Sequence, residues 1–159
     1  MAIGLFIGRF QPFHNGHLHV VKQMVSECSE IIIGIGSANC ERSAKNPFIT
    51  SEREEMIEQV LNEAGIENYN IVSIEDQETH KDWVKEVKDK ASPFDVVYVS
   101  GDNIRLDFIK ACGFNVKIVD FVDGISATKV RELIKNNEPW EQLVPPAVAN
   151  YAPSKPILS

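Results

Sequence analysis

The 159-residue chain has few features of a secreted, membrane-bound or nucleic-acid-binding protein. It has only three cysteines, Cys28, Cys40 and Cys112. The number is odd and no C-x-x-C pair occurs, which argues against a disulfide framework or a zinc cluster and for reduced thiols. No apolar run approaches the ~20 residues that span a bilayer. The N-terminal segment Ala2–Ile7 is strand-like and lacks the basic start, long apolar stretch and cleavage site of a secretory signal. Basic residues are outnumbered, with 16 Lys and Arg against 23 Asp and Glu, for a formal net charge of -7. A broad nucleic-acid-binding surface is not expected on such a chain, although a few local cations would suffice for a small anion. The expectation is a cytoplasmic protein with no membrane or nucleic-acid partner.

The composition is that of an ordinary globular protein: 43% hydrophobic and 25% charged. The length favours one domain over residues 1–159. Along the chain, short apolar runs alternate with segments of helical periodicity. Strands are predicted at Ile3–Gly8, Ile31–Gly36, Asn70–Ile74, Asp95–Ser100 and Val116–Val119. Helices are predicted over Gly16–Cys28, from Ser51, over Lys81–Ala91, after Asn103 and over Ser126–Asn136. Ser51 and Glu54 read as a capping box, and Gly65 stands where a helix C-cap belongs. The tail holds five prolines from Pro139 on, so long helices are not expected there. Repeated strand–helix units imply an α/β fold: a Rossmann-like, doubly wound, parallel five-stranded sheet with helices on both faces. Ligands of such sheets sit beyond the carboxyl ends of the strands.

The first strand runs into Gly8-Arg9-Phe10-Gln11-Pro12-Phe13-His14-Asn15-Gly16-His17. Gly8 lets a ligand approach the backbone, and Pro12 stiffens the loop. His14 and His17 share a helix face near a helix N-terminus, whose N–H groups and dipole attract anions. With Arg9 beside them, this is a site for phosphate. Alone, H-x-x-H is also common on surface helices, and a zinc site would lack a third ligand in the loop. No G-K-[ST] follows, so the string is not a Walker A loop. Gly34-Ile35-Gly36 lacks the third glycine of a dinucleotide fingerprint.

The H-x-G-H string resembles the signature of a nucleotidyltransferase superfamily that includes cytidylyltransferases and phosphopantetheine adenylyltransferases. Its longer form, from Gly8 to His17, resembles the archaeal-type nicotinamide-mononucleotide adenylyltransferases, with Arg9 and Gln11 steering the choice within the superfamily. The superfamily's second signature, I-S-x-T-x-x-R, is matched by Ile125-Ser126-Ala127-Thr128-Lys129-Val130-Arg131. On its own that stretch reads as an ordinary helix N-cap with a solvated arginine. The resemblance extends over most of the chain, through Gly34–Ala38, Asn46–Phe48 and Glu52–Arg53.

The resemblance implies an enzyme that transfers the adenylyl group of ATP to nicotinamide mononucleotide, with nicotinate mononucleotide a further acceptor, forming NAD and pyrophosphate with ATP-bound magnesium. It implies that His14, His17, Arg9 and Arg131 are catalytic. It places ATP against Gly8, Arg9, Phe10, Gln11, His14, Gly16, His17, Gly101, Asp102, Ser126, Thr128 and Arg131. The nicotinamide nucleotide falls to Phe13, Gly36, Ser37, Ala38, Lys45, Asp76 and Trp83, with Trp83 stacking on the ring. Lys45 stands where relatives often have arginine, and core packing is the other reading of Trp83. No protein-held metal is implied, and relatives commonly form homo-oligomers. The rivals are an adenylyltransferase for phosphopantetheine or flavin mononucleotide, and a non-catalytic nucleotide sensor.

Overall fold

The computed structural model describes residues 1–100, 106–120 and 124–156. Five strands, β1 (Ala2–Gly8), β2 (Cys28–Ile35), β3 (Tyr69–Ser73), β4 (Val96–Ser100) and β5 (Val116–Val119), form one sheet in the order β3-β2-β1-β4-β5. Every pairing is parallel. The chain winds outward from β1 to β3 and then returns to place β4 on the other side of β1. The switch point, where such sheets bind ligands, therefore lies between the ends of β1 and β4.

Period-two alternation divides the apolar side chains between two faces. Phe6, Ile31, Ile33, Ile35 and Tyr98 face a core built with α1 (Asn15–Glu27), α2 (Thr50–Glu63), α5 (Ala127–Lys135) and α6 (Pro146–Tyr151). Leu5, Ile32, Val97 and Val99 face a second core built with α3 (His80–Ala91) and α4 (Leu106–Ala111). The expected doubly wound sheet is thus present, and among the described residues the proline-rich tail forms the six-residue α6 and two short 3-10 turns. No helix among the described residues is long and apolar enough to cross a membrane.

Several boundaries differ from the sequence pattern. β2 begins at Cys28, which pairs with Ala2, although Ser29 and Glu30 are exposed and interrupt the apolar run. β3 is shifted one residue towards the N-terminus. The Ser51–Glu54 capping box is also corrected. α2 has Ile49 at its N-cap, and the carboxylate that reaches back is Glu52, which accepts from the Ile49 N–H at 3.0 Å. Ile49 has no side-chain acceptor to complete the exchange.

The end of α2 follows the sequence signal. The Ile66 N–H donates to Leu61 O at 2.9 Å and the Gly65 N–H to Asn62 O at 3.1 Å, with Gly65 at φ 74°. This paired closure satisfies carbonyls of the last turn and requires a left-handed residue. Gly65→Ala is expected to lower unfolding free energy by about 1–2 kcal/mol, the left-handed penalty of an L side chain. Urea titration of the two proteins measures it, and an unchanged midpoint would remove the requirement for glycine.

Candidate active site

The site begins where β1 ends. Phe10 takes a left-handed backbone conformation, φ 52°, unusual for a bulky residue and a mark of stored local strain. Its ring is buried against Phe6 at 5.5 Å, Phe13 at 5.5 Å and His17 at 4.8 Å. A Cβ on Gly8 would lie 2.9 Å from the Phe10 ring, so only glycine lets the chain turn back at this point. The Gly8 carbonyl accepts from the Gly36 N–H at 2.7 Å, joining the ends of β1 and β2.

α1 opens on a capping box made of two imidazoles. His14 is the N-cap, and its Nδ1 accepts from the N–H groups of Gly16 at 3.0 Å and His17 at 3.4 Å. His17 Nδ1 accepts from the His14 N–H at 3.0 Å. A nitrogen that accepts cannot carry the ring proton, so these bonds place the proton of each neutral ring on Nε2. The two rings stack with centroids 3.6 Å apart. Burial, reinforced by the neighbouring His14, holds the His17 pKa well below its usual 6.5. Neutral His17 is therefore the resident form at pH 7.

α5 supplies the opposite wall. Ser126 caps it, accepting from the Lys129 N–H at 3.1 Å. Arg131 donates through Nη1 to the Gln11 carbonyl at 2.8 Å and through Nη2 to Thr128 Oγ1 at 3.3 Å. Burial, and then the nearby charge of Arg9, pull the Arg131 pKa below the usual guanidinium value. A cavity of about 290 Å³ lies between these parts, bounded by the β1 end, the first turn of α1, Ser100 at the end of β4 and the first turn of α5. Two helix N-termini, Arg9 and Arg131 therefore face one space, with no carboxylate among the described residues of its lining, an arrangement that suits a polyanion.

Of the residues assigned to ATP from sequence, Gly8, Arg9, Phe10, Gln11, His14, His17, Ser126, Thr128 and Arg131 all border this cavity. Gly16 lies buried in the first turn of α1. Gly101 and Asp102 lie outside the described residues. The Gln11 side chain turns away from a ligand: its amide pairs with the Phe48 backbone, donating to the carbonyl at 2.8 Å and accepting from the N–H at 2.9 Å.

The residues assigned to the nicotinamide nucleotide are less unified. Gly36, Ser37, Ala38 and Asp76 do come together. Ser37 Oγ donates to Asp76 at 3.1 Å and the Ala38 N–H donates to Ile74 O at 3.0 Å. Lys45 is exposed elsewhere on the loop. Phe13 is wholly buried in the first core. Trp83 is 6% exposed, in the second core, with its ring 5.3 Å from that of Phe108. None of these seven residues, Gly36, Ser37, Ala38 and Asp76 included, lines the cavity described above.

Arg53 received no role from sequence, yet it is the largest wholly buried side chain among the described residues. Its guanidinium contacts both the loop after β1 and the loop after β2. A signal was present: Arg53 is in register with Met56, Ile57 and Val60 on the apolar stripe of α2, where a cation is out of place.

The cytidylyltransferase-like family model matches residues 5–157. The chain belongs to that family. Within it, the chain is 40% identical to the nicotinamide-nucleotide adenylyltransferase of Thermococcus onnurineus over 93% of its own length and 80% of the relative's. It is 38% identical to the protein of that name from Methanoculleus marisnigri, over 94% and 89%. Among solved structures, it resembles a bifunctional NMN adenylyltransferase/ADP ribose pyrophosphatase from Francisella tularensis complexed with AMP and manganese, with TM-score 0.73 and 31% identity. That match covers 91% of this chain and 44% of the larger protein.

The histidine cap gives this family member a testable pH response. The folded-state pKa of His17 is depressed, so below about pH 6.5 the unfolded chain binds more protons and stability falls as pH falls. Gln at this helix position keeps an acceptor for the His14 N–H but does not titrate. Between pH 7 and pH 5, His17→Gln is therefore expected to lose less melting temperature than the parent. Parallel curves would show that His17 carries no such linkage.

Proposed function

We propose that the protein transfers the adenylyl group of ATP to nicotinamide mononucleotide, forming NAD and releasing pyrophosphate. The observation that carries the chemistry is the cavity faced by two helix N-termini, two arginines and the paired imidazoles. The acceptor rests on the sequence similarity to nicotinamide-nucleotide adenylyltransferases and on the arginine–glutamine form of the first motif.

In this reading an oxygen of the acceptor's phosphate attacks the α-phosphorus of ATP in line, and the bond from that phosphorus to the β-phosphate bridging oxygen breaks. A phosphate with a second pKa near ~6 is already largely dianionic at neutral pH, so no general base is needed. Catalysis is then positioning and charge stabilisation. The Nε2–H groups of His14 and His17 donate to the α-phosphate oxygens, where negative charge builds. Arg9, Arg131 and the N–H groups opening α5 hold the β- and γ-phosphates, with Ser126 and Thr128 beside them. Magnesium enters as part of the nucleotide, coordinated mainly by phosphate and water. Among the described residues the lining offers no acidic ligand set, which suits that arrangement. The manganese in the Francisella protein supports divalent metal use in this fold.

Gly36, Ser37, Ala38 and Asp76 form the nicotinamide-nucleotide half of the proposal, with Phe13, Lys45 and Trp83 as further candidates. Three free cysteines support a reducing, cytoplasmic setting. Assembly as a homo-oligomer belongs to the same reading.

The test is pyrophosphate release with magnesium–ATP over a panel of acceptors: nicotinamide and nicotinate mononucleotides, phosphopantetheine and flavin mononucleotide. Turnover is expected with a pyridine nucleotide, and exclusive turnover with another acceptor would replace the reading. His17→Ala should lower kcat by roughly 10²-fold or more, the cost of losing a transition-state donor, with little change in ATP binding. Near-normal kcat would remove His17 from the chemistry. Trp83→Ala separates two roles on one variant. Its core position predicts a stability loss of about 3–5 kcal/mol. A ring contact with the cationic nicotinamide adds a selective rise of roughly 3- to 30-fold in the KM for that nucleotide, with the KM for ATP unchanged. Both effects are expected, and stability loss alone would make Trp83 a packing residue only.

A further inference from the structure

Arg53 is a buried cation with an unusual set of partners. From the first turn of α2, Nη1 donates to the Arg9 carbonyl at 2.9 Å and to the Gly36 carbonyl at 2.7 Å. Nη2 donates to the Ser37 carbonyl at 3.2 Å and to Thr50 Oγ1 at 3.1 Å. Every one of these acceptors is neutral, and Nε has no hydrogen-bond partner among the described residues. Burying a charge with no hydrogen-bonded counter-ion among the described residues is costly, even with Asp76 favouring it from a distance, and a Met or Leu here would extend the apolar stripe of α2. Burial lowers the Arg53 pKa only to about 10, so the group stays charged at neutral pH.

The acceptors explain the choice. Arg9 lies on the phosphate loop, whereas Gly36 and Ser37 begin the loop given above to the acceptor nucleotide. One planar fork with fixed donor angles therefore sets the spacing of the two loops. We infer that Arg53 is a positioning residue for adenylyl transfer, holding the acceptor loop in register with the phosphate loop so that the attacking oxygen and the α-phosphorus meet in line. The inference rests on the two-substrate reading of the preceding subsection. A displacement near 1 Å can cost about 10²-fold in rate while leaving the groups that bind each substrate in place.

The experiment compares the parent with Arg53→Lys, which keeps the charge but loses the fork, and with Thr50→Val, which removes one acceptor of the fork together with that hydroxyl's own bond to the Ala38 carbonyl of the same loop. Kinetics are normalised to the folded fraction from circular dichroism. For Arg53→Lys, kcat is expected to fall about 30- to 100-fold while the KM values for ATP and the acceptor each change less than about threefold. For Thr50→Val the same split is expected at a few-fold size, and it stands in should the lysine variant not fold. In Arg53→Ala, millimolar methylguanidine should restore part of kcat, and methylamine at equal ionic strength should not. Unchanged kcat per folded molecule in the first two variants would overturn the inference, leaving Arg53 a stability element. A rise confined to one KM would overturn it too, because Arg53 would then serve a single subsite. The parent in the same assay tests the prior reading separately. Should it use only a different phosphate acceptor, the nicotinamide assignment fails and the Arg53 split is read with that acceptor.

Discussion

Like charges must be held together before any ligand arrives. Arg9, Arg53 and Arg131 cluster around the end of β1, close enough that Arg9 depresses the pKa of each of the other two. Carboxylates would relieve this repulsion, but they would also neutralise the potential that a polyphosphate needs. Among the described residues Asp76 and Glu132 favour the charged forms only from a distance, and the hydrogen bonds go to neutral oxygens. Arg131 is tied to the Gln11 carbonyl, and Arg53 to the carbonyls of Arg9, Gly36 and Ser37. These bonds orient the guanidinium groups without cancelling their charge, which is how a preorganised anion site differs from a set of salt bridges. The chain as a whole is acidic, so the positive potential of this cluster is local rather than global.

The histidine pair obeys the same logic. A serine or aspartate at the N-cap and a glutamate at N3 would close α1 equally well. Imidazoles close it with Nδ1 and place a donor on Nε2, so one motif both starts the helix and fixes the tautomer. Capping thus explains why H-x-G-H has its spacing. The exchange requires N-cap and N3, three residues apart, while the glycine between them puts its N–H on His14 Nδ1.

What was legible in the sequence follows from range. Strand runs such as Leu5-Phe6-Ile7 and Ile31-Ile32-Ile33 carry their own signal, and so do the Ser126 cap and the glycine after α2. The phosphate half of the proposed site lies within two short segments, so its candidate donors could be named before the fold was known. Other features depend on partners distant in sequence. The first residues of β2 are strand because Cys28 pairs with Ala2, which no periodicity reveals. Gln11 reads as a ligand contact in its motif, yet its amide is engaged by Phe48. Serine and glutamate at 51 and 54 fit a capping pattern, but the helix begins earlier and Glu52 takes that position.

The proposed acceptor half is harder to read because it is made almost entirely of such long-range pairs. Ser37 meets Asp76, Gly36 meets Gly8, and Thr50 Oγ1 donates to the Ala38 carbonyl at 2.6 Å. None of these residues has a distinctive chemistry alone; together they fix the path of the loop after β2. Phosphate binding demands particular donors and therefore leaves a motif. Holding one loop at a set distance from another demands only complementary hydrogen bonds, and many residue pairs could supply them. Arg53 is where the two demands meet. Its place on an apolar stripe makes it visible in sequence as an anomaly, but only the carbonyls around it tell what the anomaly holds in place.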